Sequence, residues 1–143
     1  MPDAEPNLRL VPLCRAELDL GELRHLDTAD GRRLVGEIIR SRWAGPRLAA
    51  SQVGSGSDWL TYCADSMAVV DVRLQLVTDD GASLLVRYSG RSDITAGHIV
   101  TSVQFETGAP AYRWLNRIMA VGFGRHERGS NQVVYDISTL EPA

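Results

Sequence analysis

The chain contains no lysine; every one of its fifteen Lys+Arg residues is arginine. That excludes Schiff-base chemistry on a side-chain amine, attachment of pyridoxal phosphate and a phosphate-loop lysine. Arginine stays charged, so it can hold an anion or polarise a carbonyl but is a poor proton carrier. Cysteine is scarce as well. Cys14 and Cys63 stand far apart with no CxxC or zinc-type spacing, and are read as unpaired thiols. No apolar run approaches the roughly 20 residues that span a bilayer. Met1 to Pro6 is acidic, with no basic or apolar leader. A cytoplasmic chain with no membrane attachment is expected.

Charge and motif content exclude further classes. A net charge of -3 and a pI near 5.6 argue against a nucleic-acid partner. Arg40, Arg42 and Arg47 are the one loose basic group, and they read as a solvated strand face. The three histidines form neither HxH nor HExxH, so no metal site is expected. There is no GxSxG nucleophile motif. Gly122-Phe123-Gly124 lacks the third glycine of a dinucleotide loop. No cofactor is expected, and acid/base work must come from carboxylates, histidines, tyrosines or cysteines.

What is present is period-2 patterning, with 44% hydrophobic residues. Strands are predicted at Leu8–Leu18, Arg32–Trp43, Leu48–Val53, Trp59–Cys63, Met67–Thr78, Ser83–Tyr88, His98–Phe105, Asn116–Gly124 and Gln132–Ile137. Asp79-Asp80-Gly81 is a strong hairpin signal, because Asp and Gly tolerate positive φ. Leu18–Leu26 and Ala109–Leu115 are the two places that look helical. Residues 1–143 read as one domain, with 1–6 a loose tail. The fold class expected is all-β, an antiparallel barrel of about eight strands with one or two short helical turns. On the long strand Val69, Asp71, Arg73, Gln75 and Val77 share one face and Val70, Val72, Leu74, Leu76 and Thr78 the other. The pattern alone leaves open which face is inside.

Several motifs, in this order, resemble a known family. They are Gly45-Pro46, Asp58-Trp59, Asp71-x-Arg73 and Thr78-Asp79-Asp80-Gly81, then Phe105-Glu106-Thr107-Gly108, Tyr112-x-Trp114-Leu115-Asn116-Arg117 and Gly122-x-Gly124. Over roughly residues 32–140 the chain is similar to the domain of unknown function 3237 family, also called uncharacterised protein family 0311. The resemblance implies a small calycin-like β-barrel that often self-associates. It implies no established activity for the family as a whole, though some members sit near biosynthetic or catabolic enzymes. The chain departs from the pattern at Asp65-Ser66, where the family has Asp-Gly, and at Val103-Gln104, where an arginine is usual.

Each candidate residue has a structural alternative. Asp58 beside Trp59 would have a raised pKa in a partly apolar site and could move protons. Alternatively, Asp58 caps a turn while Trp59 plugs the barrel. Asp71 and Arg73 could clamp a polar substrate, or form an exposed ion-pair face. Glu106 could act as a base and Asn116 as an oxyanion donor, or both could satisfy backbone groups at a strand corner. His98, Trp43, Tyr62, Tyr88, Tyr112 and Trp114 could join Trp59 in lining an apolar cavity, or pack as core. The sequence thus points to a barrel that binds a small organic molecule and catalyses cofactor-independent acid/base chemistry on it. Isomerisation, cyclisation, elimination or hydration, in a biosynthetic setting, would all fit. The alternative is a non-catalytic metabolite carrier of the same fold. A homodimer or higher homo-oligomer is the expected assembly, since exposed strand edges favour pairing.

Overall fold

A computed structural model describes residues 4–5 and 7–143; the expected loose tail over 1–6 falls largely outside the described residues. Nine antiparallel strands form one sheet: β1 (Leu8–Thr28), β2 (Gly31–Ala44), β3 (Ala49–Gln52), β4 (Gly56–Tyr62), β5 (Met67–Thr78), β6 (Ser83–Asp93), β7 (His98–Glu106), β8 (Met119–Arg125) and β9 (Gln132–Pro142). Each strand from β5 to β9 pairs with the next, β9 pairs with β1, and a β1–β2 ladder closes the ring. Between β2 and β5 one place in the ring is shared. β3 fills it beside Arg42–Ala44, and β4 fills it beside Arg33–Ile38. Nine strands therefore occupy eight positions, and closure leaves few free edges.

The long-strand ambiguity resolves cleanly. Val70, Val72, Leu74, Leu76 and Thr78 point inward and are buried, whereas Asp71 and Arg73 stand in solvent. The interior differs along the barrel axis. One end is packed solid around Trp43, which meets Phe105 edge-on at 6.2 Å and is sealed with Leu13, Leu48 and Leu115. A 3-10 helix, Pro110–Arg117, lies across that end and delivers Leu115 to the core. Its start suits the sequence, because Pro110 has no N–H to leave unpaired at a helix N-terminus.

Two expectations are corrected. Leu18–Leu26 is strand, not helix, and belongs to β1. Its leucine spacing imitates a helical stripe because the β1–β2 register slips there: Leu20 faces Ile38, but Leu23 already faces Gly36. A bulge breaks the two-residue period and turns both leucines toward the same side. Strand β8 begins at Met119, not Asn116, since the helix runs through Arg117. At the β4–β5 turn Asp65 and Ser66 hold φ of 61° and 56°, a left-handed pair normally given to glycine.

Candidate active site

The end of the barrel opposite the 3-10 helix is hollow. A cavity of about 310 Å³ opens there, with a wall that is mostly apolar. The β1 bulge supplies Leu20 and Leu23, β2 supplies Ile38, and β5 supplies Ala68 and Val70. Polar groups are few. Asp58 reaches in from β4, Tyr88 from β6 and Tyr135 from β9. Asp58 and Leu60 point inward because alternate residues of a strand share a face; Gly36, opposite Asp58 in register, leaves space beside it.

Burial pushes the Asp58 carboxyl up to about 7, and the nearby Asp71 carboxylate adds to that rise. The Asp71 backbone N–H, which donates to Asp58 Oδ1 at 3.0 Å, partly offsets it. Asp58 therefore holds its proton across mildly acidic pH and exchanges it near neutrality. Tyr88 and Tyr135 are buried side by side, with ring centres 5.2 Å apart. Desolvation lifts both phenols above their ordinary range, and Asp58 acts on each in the same direction. Both are thus neutral hydroxyls that can donate a hydrogen bond or accept one.

Of the residues singled out from sequence, the structure brings Asp58 and Tyr88 together, with Tyr62 at the rim. It separates the others from the cavity. Trp59 is 61% exposed on the outer face, as a neighbour of an inward Asp58 must be; its Nε1 donates to Ser57 Oγ. Asp71 and Arg73 also face outward, across β5 and β6, where Arg73 lies opposite Arg87. Trp43 is wholly buried in the solid end, with Nε1 donating to Ser41 Oγ. Trp114 sits half-buried beneath the Arg47 guanidinium, 4.8 Å away. His98 is exposed and leans on Phe123 outside the barrel.

Glu106 and Asn116 also lie at the solid end. The Asn116 carboxamide clamps the strand exit: Thr107 N–H donates to its Oδ1 at 2.8 Å, and its Nδ2 donates to Thr107 O at 2.9 Å. Both backbone groups of Thr107 are satisfied by this one side chain, which spends its carbonyl and one of its two N–H donors at the strand exit and does not line the cavity. Glu106 is exposed on the outer surface near Arg73 and Arg87. The sequence reading did not single out Tyr135. A usable signal existed in Gly124, which faces Tyr135 across the ladder. A Cβ there would stand 2.4 Å from Tyr135 Cε1, so the glycine makes room for the ring.

The model of a family of proteins of unknown function, DUF3237, matches residues 8–99 and 91–140. The chain belongs to that family. It is 32% identical over 122 residues to the hydroalkoxylation enzyme phnH of Penicillium herquei, covering 82% of this chain and 73% of that protein. A β-barrel-like protein from Acinetobacter baumannii AYE superposes with a TM-score of 0.85 at 28% identity, over 97% of this chain and 99% of the other. A structure of an enzyme from Penicillium herquei gives 0.79 at 24% identity, over 99% of this chain and 100% of the other, a likeness of fold alone. The antiparallel barrel read from the sequence pattern is thus the fold of this DUF3237 chain.

Proposed function

We propose that this DUF3237 protein is a cofactor-independent proton-transfer catalyst that adds a hydroxyl group across a carbon–carbon double bond within one small organic molecule. The observation that carries the reading is Asp58: one carboxyl, poised near 7, on the wall of a largely apolar cavity. The relatedness to a hydroalkoxylation enzyme supplies the reaction class.

Such an addition is an isomerisation, and its balance needs only a proton that is lent and returned. Protonated Asp58 gives its proton to one alkene carbon. The other carbon becomes electron-poor, the substrate oxygen bonds to it, and the oxygen's proton passes to the Asp58 carboxylate. The acid is thereby restored. A carboxyl with a pKa near the working pH suits both halves. The apolar wall keeps out water that would otherwise capture the electron-poor carbon. Tyr88 and Tyr135, which line the same cavity, would hydrogen-bond the substrate oxygen and hold it close to the alkene, where proximity does much of the work.

A direct probe is 2-prenylphenol, whose ring closure gives 2,2-dimethylchroman of the same mass. Incubation in heavy water should place one deuterium on the new ring carbon and raise the product mass by one unit. Recovery of bound 2-prenylphenol unchanged would return the protein to the carrier reading.

A further inference from the structure

The mouth of the cavity carries charge that the chemistry above does not use. The loop between β8 and β9 curls over it and contributes His126, Arg128 and Gly129 to the wall. The loop is pinned. Its Ser130 N–H donates to Glu127 O at 3.0 Å, closing a turn whose central residues are Arg128 and Gly129; Gly129 has φ of 82°. A turn with positive φ at its third residue favours glycine there. The His126 N–H donates to Gly97 O at 3.1 Å, and the His126 ring is held by Ser130 O at 2.7 Å. Arg128 is therefore presented at the mouth by a fixed turn.

Among the described residues Arg128 makes no ion pair. The other charged side chain at the mouth, Glu37, lies along the wall, where its Oε2 is 2.7 Å from the place a Cβ on Gly21 would take. Among the described residues lining the cavity, Arg128 is the arginine, and it has no ion pair; the half-exposed apolar side chains Leu23 and Ile94 share the wall with it and Asp58. The cavity thus has a direction. An anion driven inward would be desolvated beside Asp58, at a cost several times what it could regain there. The same anion left at the mouth keeps its water and gains charge-assisted hydrogen bonds from a guanidinium.

We infer that Arg128 selects the substrate: an amphiphile with a carboxylate or phenolate at one end, held at the mouth, and an apolar unsaturated body directed inward to Asp58. This rests on the reading of the cavity as a substrate site. The arginine that meets the substrate is then not Arg73, which faces outward on β5, but Arg128 at the mouth.

The test uses ligands that cannot react, so that binding is read apart from chemistry. The probes are 4-hydroxy-3-isopentylbenzoate and its methyl ester, titrated into the intact protein by calorimetry. The acid should bind roughly 5–10-fold more tightly than the ester, and raised salt should narrow the gap. In Arg128→Gln the two should agree within about twofold, with ester affinity unchanged; Arg128→Lys should keep part of the preference. Equal affinities in the parent protein, a preference that survives Arg128→Gln, or failure to bind either probe would each overturn the inference. Tighter binding of the matching 3-isopentylbenzylamine would also overturn it and assign the mouth to Glu37. Failure of 2-prenylphenol to close, with the acid preference intact, would instead remove the proposed reaction and leave this assignment standing.

Discussion

The two ends of this barrel are built from the same alternating strands and do opposite things. At one end Trp43, Phe105 and Leu115 fill the interior, and Asn116 and the 3-10 helix seal it. At the other, Leu20, Leu23 and Ala68 leave a chamber with one carboxyl, Asp58, raised by burial in its wall. Two of the motifs that carry the family resemblance, Phe105–Gly108 and Tyr112–Arg117, belong to the solid end. A corner where a strand leaves a closed sheet must satisfy its backbone groups, and these residues do so. The proposed chemistry belongs to the end where packing is incomplete. A conspicuous cluster of polar and aromatic residues thus marked structure, and the candidate site has fewer and quieter residues.

The sharpest way to break this contrast is to change one carboxyl at each end. Asp58→Asn should lower turnover by about 10²–10⁴-fold, the usual range for losing a general acid. Glu106→Gln, exposed and far from the chamber, should stay within about threefold of the parent. Comparable losses in the two variants, measured on 2-prenylphenol closure, would end the division of labour between the ends.

Next in size is a cavity cut into the solid end. Leu115 is fully buried, and Leu115→Ala should cost about 2–5 kcal/mol in denaturant unfolding. The KM of the molecules that remain folded should not move, because the chamber lies at the other end.

The open end should show its own cost through pH. Folding raises the Asp58 carboxyl from its ordinary value near 3.8 to about 7, so the native state binds the proton more tightly than the unfolded chain. Stability from this group is therefore greatest at low pH and falls as pH rises from about 4 to about 7. Asp58→Asn should remove that slope and make the protein more stable than its parent at pH 8, by on the order of 1–3 kcal/mol. The other titratable groups around the chamber are Glu37, Tyr62, Tyr88, His126 and Tyr135, with Asp71 behind Asp58. They are common to both proteins and should cancel in the difference. A parent and variant with the same pH slope would mean that Asp58 is solvated like a surface carboxylate.

How much of this was legible in the sequence follows from how local each feature is. Strand β5 was readable to the residue, since Met67–Thr78 alternates without interruption and ends in Asp79-Asp80-Gly81. The bulge in β1 was not, because a slipped register gives Leu20 and Leu23 a three-residue spacing that one strand alone presents as helix. Asp58 stood out by its setting beside Trp59, although the same setting also read as a turn cap. Trp59 could have been set aside on the same evidence, since adjacent strand residues cannot both face the interior. Tyr135 and Arg128 depend on distant partners: Tyr135 fits only because Gly124 is opposite, and Arg128 matters only because its turn closes over the chamber. Those relations are created by ring closure and leave little mark within a short window of sequence.

The smallest expected effect bears on what the family fingerprint is for. Asn116 spans both backbone groups of Thr107, so Asn116→Ala leaves an N–H and a C=O without that partner. Asn116 is exposed, and water can replace much of what is lost, which holds the cost to about 1 kcal/mol. Asn116→Asp is the discriminating variant. Its carboxylate can still accept from Thr107 N–H but has no donor for Thr107 O, so it should recover about half of the loss. Turnover per folded molecule should be unchanged in both. A fall in turnover without a fall in stability would instead mean that the carboxamide acts on a substrate, and would place chemistry at the end of the barrel that now reads as its seal.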